Sequence, residues 1–251
     1  MTQLDVVTMG ETMVSLRTST PLRLGGTMTM TAAGAESNVA IGLARLGYKV
    51  RWGGRVGADE IGAFILRTLR AESVAVDTVM VDPGRPTGLM LAERRVADIS
   101  RVSYYRTGSA GSALASADAA ACLADTPRIL HLTGITPALS GSAAEAVVTA
   151  VALARQAGAL VSVDVNYRSS LWVPREARRM LSELVRDAHI VIASEDELGL
   201  RRDRPAGRVG GSRRALCIRC QPARHQAGCP RCDRLARGTA APRHRRPCHR
   251  A

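Results

Sequence analysis

The chain has 251 residues, enough for one large domain or two small ones around a sizeable buried core. Its formal charge of +13 would suggest a nucleic-acid or membrane-surface partner, but the excess lies at one end. Residues 1–200 balance 20 basic against 20 acidic side chains, whereas residues 201–251 hold 15 arginines and only Asp203 and Asp233. The distribution therefore argues against nucleic-acid and membrane partners.

Cysteine usage divides at the same place. Cys122 is the one cysteine before residue 200, and the other five lie between residues 217 and 248. A single cysteine in a globular stretch favours a reducing compartment over a disulfide scaffold. No apolar run reaches the roughly 18 residues of a membrane-spanning helix, and no signal-peptide pattern opens the sequence. We therefore expect a soluble, cytoplasmic protein.

The first 200 residues alternate between strand and helix patterns. Buried strands are predicted at 4–9, 48–53, 128–132, 159–165 and 189–193, and helices at 36–46, 60–71, 142–157 and 175–187. This alternation predicts βαβ units and a mostly parallel sheet covered on both faces. Short strand patterns within 13–32 and 77–106 interrupt the alternation, so we expect them to form a small lid sheet over one edge of the site.

Residues 201–251 do not continue this pattern. They contain no aromatic residue and few large aliphatic ones, so we expect the segment to be disordered. One hypothesis is a zinc or nucleic-acid module, because Cys217/Cys220 and Cys229/Cys232 form two CxxC pairs. The other is a reading-frame shift in a GC-rich gene, which fits the abundance of Arg, Pro, Ala, Gly and Cys and the lack of Lys and Glu. The break falls inside a predicted helix, which favours the frameshift.

A glycine-rich loop precedes the first predicted helix. Its sequence, AGAESN over residues 33–38, places small residues where a backbone can approach a ligand, and Asn38 can bond a hydroxyl. Taken alone, the pattern fits a tight turn before a helix better than a ligand-binding loop. The stretch from Gly34 to the Val-Gly-Ala-Asp at 56–59 resembles the first signature of the ribokinase (PfkB) family of carbohydrate kinases. In that family this loop holds the sugar hydroxyls.

Three later segments resemble 2-keto-3-deoxygluconate kinases (2-dehydro-3-deoxygluconokinases) within that family. They are YYRTGSAGSA at 104–113, HLTGITPAL at 131–139, and DVNYR at 164–168 followed by Leu171-Trp172. The match covers about residues 4–200. It implies a ribokinase-like three-layer α/β/α sandwich with a small β lid, incomplete at its C-terminal end.

The resemblance also implies a substrate site for a sugar acid. Arg106 would pair with the carboxylate, for which a planar guanidinium is well shaped; taken alone, it would equally fit a surface ion pair. Met90 stands where these kinases often carry tyrosine. The implied substrate-binding residues are Gly34, Ala35, Glu36, Asn38, Met90, Tyr104, Tyr105, Arg106 and Arg168.

ATP and Mg²⁺ are the cofactors that the resemblance implies. Asn166 and Arg168 follow a predicted strand, where open α/β sheets bind ligands. Residues 194–197, SEDE, resemble the family's N-x-x-E motif, in which Glu197 would position Mg²⁺ and phosphate through water. An acidic first helical turn is the structural alternative. The implied ATP-binding residues are Asn166, Arg168, Ser194 and Glu197.

The family's second signature, D-T-x-G-A-G-D, does not occur in this sequence. Its glycines form an anion hole and its last Asp deprotonates the attacking hydroxyl, so we expect no catalytic residue here and a very poor kinase. The parent activity would be phosphorylation of 2-keto-3-deoxygluconate to its 6-phosphate. Alternatives are a kinase for another sugar, such as fructose or ribose, or a non-catalytic sugar-acid-binding remnant. The resemblance also implies a homodimer, because lid strands in this family often pair between subunits.

Overall fold

A computed structural model describes residues 4–94, 100–194 and 197. The strands are β1 (Val6–Met9), β2 (Met13–Thr18), β3 (Thr29–Ala33), β4 (Val50–Gly53), β5 (Arg55–Gly57), β6 (Met80–Asp82), β7 (Leu89–Arg94), β8 (Ser100–Tyr105), β9 (Ile129–Thr133), β10 (Leu160–Asp164) and β11 (Ile190–Ile192). The helices are α1 (Ala35–Arg45), α2 (Glu60–Ala71), α3 (Ser116–Cys122), α4 (Gly141–Gln156) and α5 (Pro174–Asp187). The predicted tail, 201–251, and both of its cysteine pairs lie outside the described residues.

The central sheet has five parallel strands in the order β11-β10-β9-β1-β4. Val6 of β1 lies opposite Val50 of β4 on one side and Ile129 of β9 on the other. Parallel pairing brings the carboxyl ends of all five strands to one edge, where ligands bind in open α/β sheets. The predicted α/β fold with a parallel sheet is confirmed.

Helices pack on both faces of this sheet. On one face, small residues of α4, such as Ala146 and Ala150, pack against a cluster that includes Leu130 and Val161. On the other face, Ile65 and Leu69 of α2 pack in a cluster with Trp52. Helix α3 was not predicted, because a seven-residue, alanine-rich segment is too short to show an apolar period.

A second sheet lies beside the central one, with the strand order β3-β2-β7-β8. Strand β2 runs antiparallel to β3 and parallel to β7, and β7 runs antiparallel to β8. Strand β6, within the region 77–106, does not join this lid sheet. It pairs in parallel with β5 instead.

Side chains at two helix ends explain where those helices begin. Asp59 caps α2 by accepting the Gly62 backbone N–H at 2.7 Å. Ser140 caps α4 by accepting the Ala143 backbone N–H at 3.0 Å.

No helix in the described part of the chain is both long and apolar enough to cross a membrane.

Candidate active site

The residues singled out from the sequence gather at the carboxyl edge of the central sheet and on the lid sheet. The segment Gly10-Glu11-Thr12 follows β1, Gly134 follows β9, and Asn166 comes two residues after β10. The Gly134 backbone N–H donates to the Asp164 carbonyl at 2.9 Å, which joins the loops after β9 and β10. The edge therefore has the composition expected for a ligand site in an open α/β sheet.

Close packing beneath the lid leaves no space for a side chain at Gly34. It is the N-cap of α1, and a Cβ there would lie 2.7 Å from the Glu11 carbonyl oxygen and 2.6 Å from Ser37 Oγ. The first turn of α1, from Ala35, is thereby held against the loop that follows β1. Asn38 is exposed, and its backbone N–H donates to the Gly34 carbonyl at 2.9 Å. Its amide side chain is free to meet solvent or a ligand.

Glu36 lies inside the protein rather than at the surface of the site. It is 1% exposed, and its Oε1 accepts hydrogen bonds from the hydroxyl groups of Thr133 at 2.7 Å and Thr136 at 2.6 Å. Burial raises the pKa of Glu36, and the two hydroxyl bonds offset only part of that rise. A Cβ at Gly10 would lie 2.3 Å from its Cδ. Glu36 therefore joins α1 to the end of β9 and does not present its carboxyl group to a ligand.

The lid sheet brings together three of the predicted substrate residues. Register places Met90 of β7 opposite Tyr104 of β8 on one face of the sheet. The Arg106 guanidinium lies over the Tyr104 ring, 5.8 Å from its centroid. Tyr105 pairs with Leu89 and projects from the opposite face, because successive side chains alternate along a strand. The structure thus groups Tyr104 with Met90 and Arg106 and separates Tyr105 from them.

Glu11 organises this part of the site, although the sequence analysis did not single it out. Its Oε2 accepts from Arg106 Nε at 2.7 Å and also contacts Arg106 Nη2, and its Oε1 accepts from Ser109 Oγ at 2.5 Å. A Cβ at Gly88 would lie 2.6 Å from Oε1, and a Cβ at Gly111 would lie 2.3 Å from Cγ. The segment 104–113 therefore encloses a carboxylate of the protein itself. The available signal was an acidic residue directly after a buried strand.

A second group forms where β10 and β11 end. Glu197 accepts backbone N–H groups from Tyr167 at 2.9 Å and from Ser194 at 2.8 Å, so its carboxylate connects the two loops. Asn166 has a positive φ of 37°, a conformation that asparagine tolerates better than most residues. Arg168 is exposed. Residues 195 and 196 of the predicted motif lie outside the described residues.

The side chains at this edge differ in how well they suit Mg²⁺ and phosphate. Among the described residues, no group of three or more His, Cys, Asp or Glu side chains could hold a metal ion. Each oxygen of Glu197 keeps a lone pair that a water molecule could use, so the site suits a water-mediated ion better than a directly bound one. Arg168 supplies an exposed cation for a phosphate at the same edge.

Comparison with known proteins identifies the family of this chain. A model of the pfkB family of carbohydrate kinases matches residues 3–213. The 2-dehydro-3-deoxygluconokinase of Bacillus subtilis is 40% identical over 176 residues, covering 68% of this chain and 53% of that protein. The corresponding enzyme of Thermoproteus tenax is 38% identical over 180 residues, covering 70% of this chain and 54% of that protein. This chain thus spans about half the length of these curated relatives.

A solved structure supports the same assignment. The PfkB protein of Polaromonas sp. JS666 superposes with a TM-score of 0.70 at 39% identity, covering 75% of this chain and 65% of that one. The superposition shows that the two chains share the same fold over the matched part. The chain therefore belongs to the pfkB family of carbohydrate kinases.

Proposed function

We propose that this chain represents the sugar-binding part of an ATP-dependent kinase that phosphorylates 2-keto-3-deoxygluconate to its 6-phosphate. The observation that carries the proposal is the placement of Arg106, a cation beside Tyr104 and Met90 on one face of the lid. A guanidinium there suits a ligand that carries a planar carboxylate. Two relatives named for this activity, from B. subtilis and T. tenax, support the choice of substrate.

Each substrate contact has a proposed role. Arg106 would receive the carboxylate, Tyr104 would donate its hydroxyl, and Asn38, near the start of α1, would bond a sugar hydroxyl. Met90 would make an apolar contact where a tyrosine would supply a hydroxyl. Glu36 would act indirectly, by holding the start of α1 against the end of β9, because its carboxyl group is buried.

The phosphate side of the site would lie at the ends of β10 and β11. Asn166 and Arg168 would contact ATP, and Ser194 and Glu197 would shape the loop that receives its phosphates. Mg²⁺ bound with the nucleotide would reach Glu197 through water and would neutralise charge on the transferring phosphoryl group.

Two alternatives differ from this proposal in what they bind and catalyse. A kinase for fructose or ribose would have no ligand carboxylate to place beside Arg106. A non-catalytic sugar-acid-binding remnant would bind without turnover, and the lack of a Gly-Ala-Gly-Asp sequence in the chain favours that outcome for this chain.

Calorimetry beside an ADP-release assay separates these functions. We expect the full chain to bind 2-keto-3-deoxygluconate more tightly than fructose or ribose. Arg106→Ala should weaken that binding about 10- to 100-fold, because charge-assisted hydrogen bonds are worth about 1.5–3 kcal/mol. Arg101→Ala, which removes an exposed arginine from the preceding strand β8, is the matched control. Equal affinity for the neutral sugars, or no loss in Arg106→Ala, would refute the sugar-acid assignment.

The ADP-release assay distinguishes enzyme from remnant. Binding of the sugar acid without ADP release identifies a remnant of the kinase. Turnover above background would show that phosphoryl transfer proceeds without the expected signature, and the catalytic role would have to be sought in this chain.

A homodimer through the lid is a further part of the proposal. Met30 of β3 and Tyr105 of β8 are both exposed, Tyr105 to 60%, and β3 and β8 are the edge strands of the lid sheet. Exposed edge strands with apolar side chains favour pairing with another strand. Light scattering should report a dimer that Met30→Lys weakens; a monomer at every concentration would exclude it.

A further inference from the structure

We propose that Glu11 is a positioning residue that holds Arg106 in the site and thereby sets a preference for sugar acids over neutral sugars. The inference rests on the proposed function, because it takes Arg106 to receive the carboxylate of the substrate. Glu11 itself is too deeply enclosed to contact a ligand, so its effect must pass through Arg106.

Burial makes Arg106 depend on Glu11. The side chains of Arg106 and Glu11 are 11% and 1% exposed. A guanidinium withdrawn from water without a counter-ion is strongly disfavoured, so it would move towards solvent if the Glu11 charge were removed. Arg106 follows directly after β8, an edge strand of the lid, so no further strand of that sheet pairs with β8 beyond it.

Glu11 is held more firmly than the arginine it binds. Both of its oxygens accept hydrogen bonds, from Ser109 and from Arg106. Gly88 and Gly111 lie so close to its side chain that a Cβ at either position would overlap it. Since Glu11 cannot swing aside, the ion pair keeps one orientation.

That orientation decides which donors a ligand can use. Glu11 occupies Nε and contacts Nη2 of Arg106, and a guanidinium carries five N–H donors, so Nη1 keeps donors for a second carboxylate. The negative charge of Glu11 offsets the positive charge of Arg106, so the ion pair is nearly neutral and attracts an anion only weakly. Recognition of the carboxylate therefore depends more on the fixed position of the Arg106 Nη1 donors than on net charge. Loss of that geometry should lower the affinity for the acid more than for a neutral ligand.

Calorimetry on the full chain with two matched ligands tests this role. The ligands are 2-keto-3-deoxygluconate and its uncharged methyl ester. We expect Glu11→Gln to weaken binding of the acid about tenfold, because the Arg106 side chain would then have to be ordered when the acid binds. Binding of the ester should change much less. Glu60→Gln removes an exposed carboxylate from the first turn of α2 and should change neither. A merely structural role for Glu11 would weaken both ligands alike.

The outcomes separate this inference from the function on which it rests. Equal or tighter binding of the acid by Glu11→Gln, or equal weakening of both ligands, overturns the positioning role. If Glu11→Gln does not fold, Ser109→Ala serves instead, because it removes one hydrogen bond to Glu11. It should lower affinity for the acid about threefold and affinity for the ester less, and an unchanged acid-to-ester ratio would overturn the inference too. If Arg106→Ala loses acid affinity while Glu11→Gln does not, only this inference fails. If the unaltered chain binds neither ligand, the proposed function fails with it.

Discussion

Replacing the buried Glu36 by glutamine should stabilise the protein at neutral pH. Burial raises the pKa of Glu36 above its ordinary value of 4.5, opposed by hydroxyl bonds from Thr136 and Thr133 and, more weakly, by the charge of Arg106. Above pH 4.5 the unfolded chain ionises this carboxyl group, while the folded protein holds the proton until the pH reaches the higher folded-state pKa. The contribution of Glu36 to stability is therefore fully present below pH 4.5 and is lost as the pH rises through the folded-state pKa.

The magnitude follows from proton linkage and from the contacts. Between the two pKa values, stability falls by about 1.4 kcal/mol for each pH unit. Glutamine keeps the Oε1 atom that accepts from Thr133 and Thr136, so Glu36→Gln retains two hydrogen bonds worth about 1 kcal/mol each. The variant should match the unaltered protein near pH 4.5 and become the more stable of the two as the pH rises.

Urea denaturation of both proteins at several pH values between about 4 and 8 measures this difference. Glu60→Gln, which removes an exposed acidic side chain near the start of α2, controls for a general loss of negative charge. The reasoning is refuted if Glu36→Gln is no more stable than the unaltered protein at pH 7. That result would mean that Glu36 is ionised in the folded protein and that its charge is needed there.

Two further predictions concern the core. Burial lowers the pKa of His131 to about 4, so stability present above pH 6.5 should be lost as the pH falls towards 4, by about 3 kcal/mol. His131→Gln should remove that acid dependence in the same denaturation series, and an unchanged profile would show that His131 is not the group responsible. Gly53→Ala would place a Cβ 2.3 Å from Cys122 Sγ and should destabilise the protein by about 1–3 kcal/mol. Adding Cys122→Ala should recover part of that loss, whereas equal melting temperatures of single and double variants would contradict the packing argument.

The fold was largely predictable because its signals are local. Each strand of the central sheet is a short apolar run, and most helices carry their own start or stop, as at Pro174 for α5. A parallel sheet follows from the alternation of these elements, since parallel strands need a crossover between them. Residues 104–113 and 33–38 were also singled out from the sequence as candidate parts of the site, and their contact with a substrate stays a prediction. Their resemblance to a family identified the segments but not the atoms they contact.

Sequence patterns alone were therefore enough to establish the fold class and the family resemblance, and they predicted which segments would form the site. The partners within that site depended on tertiary structure. Glu11 meets Arg106 across 95 residues, because the segment after β8 lies against the loop after β1. Glu36 meets Thr133 across 97 residues, because β9 is next to β1 in the central sheet and α1 packs against its end. Sequence spacing carries no information on such pairs: the order of strands in the sheet decides them. For that reason Arg106 was predicted, while the buried carboxylate that holds it became visible only in the folded chain.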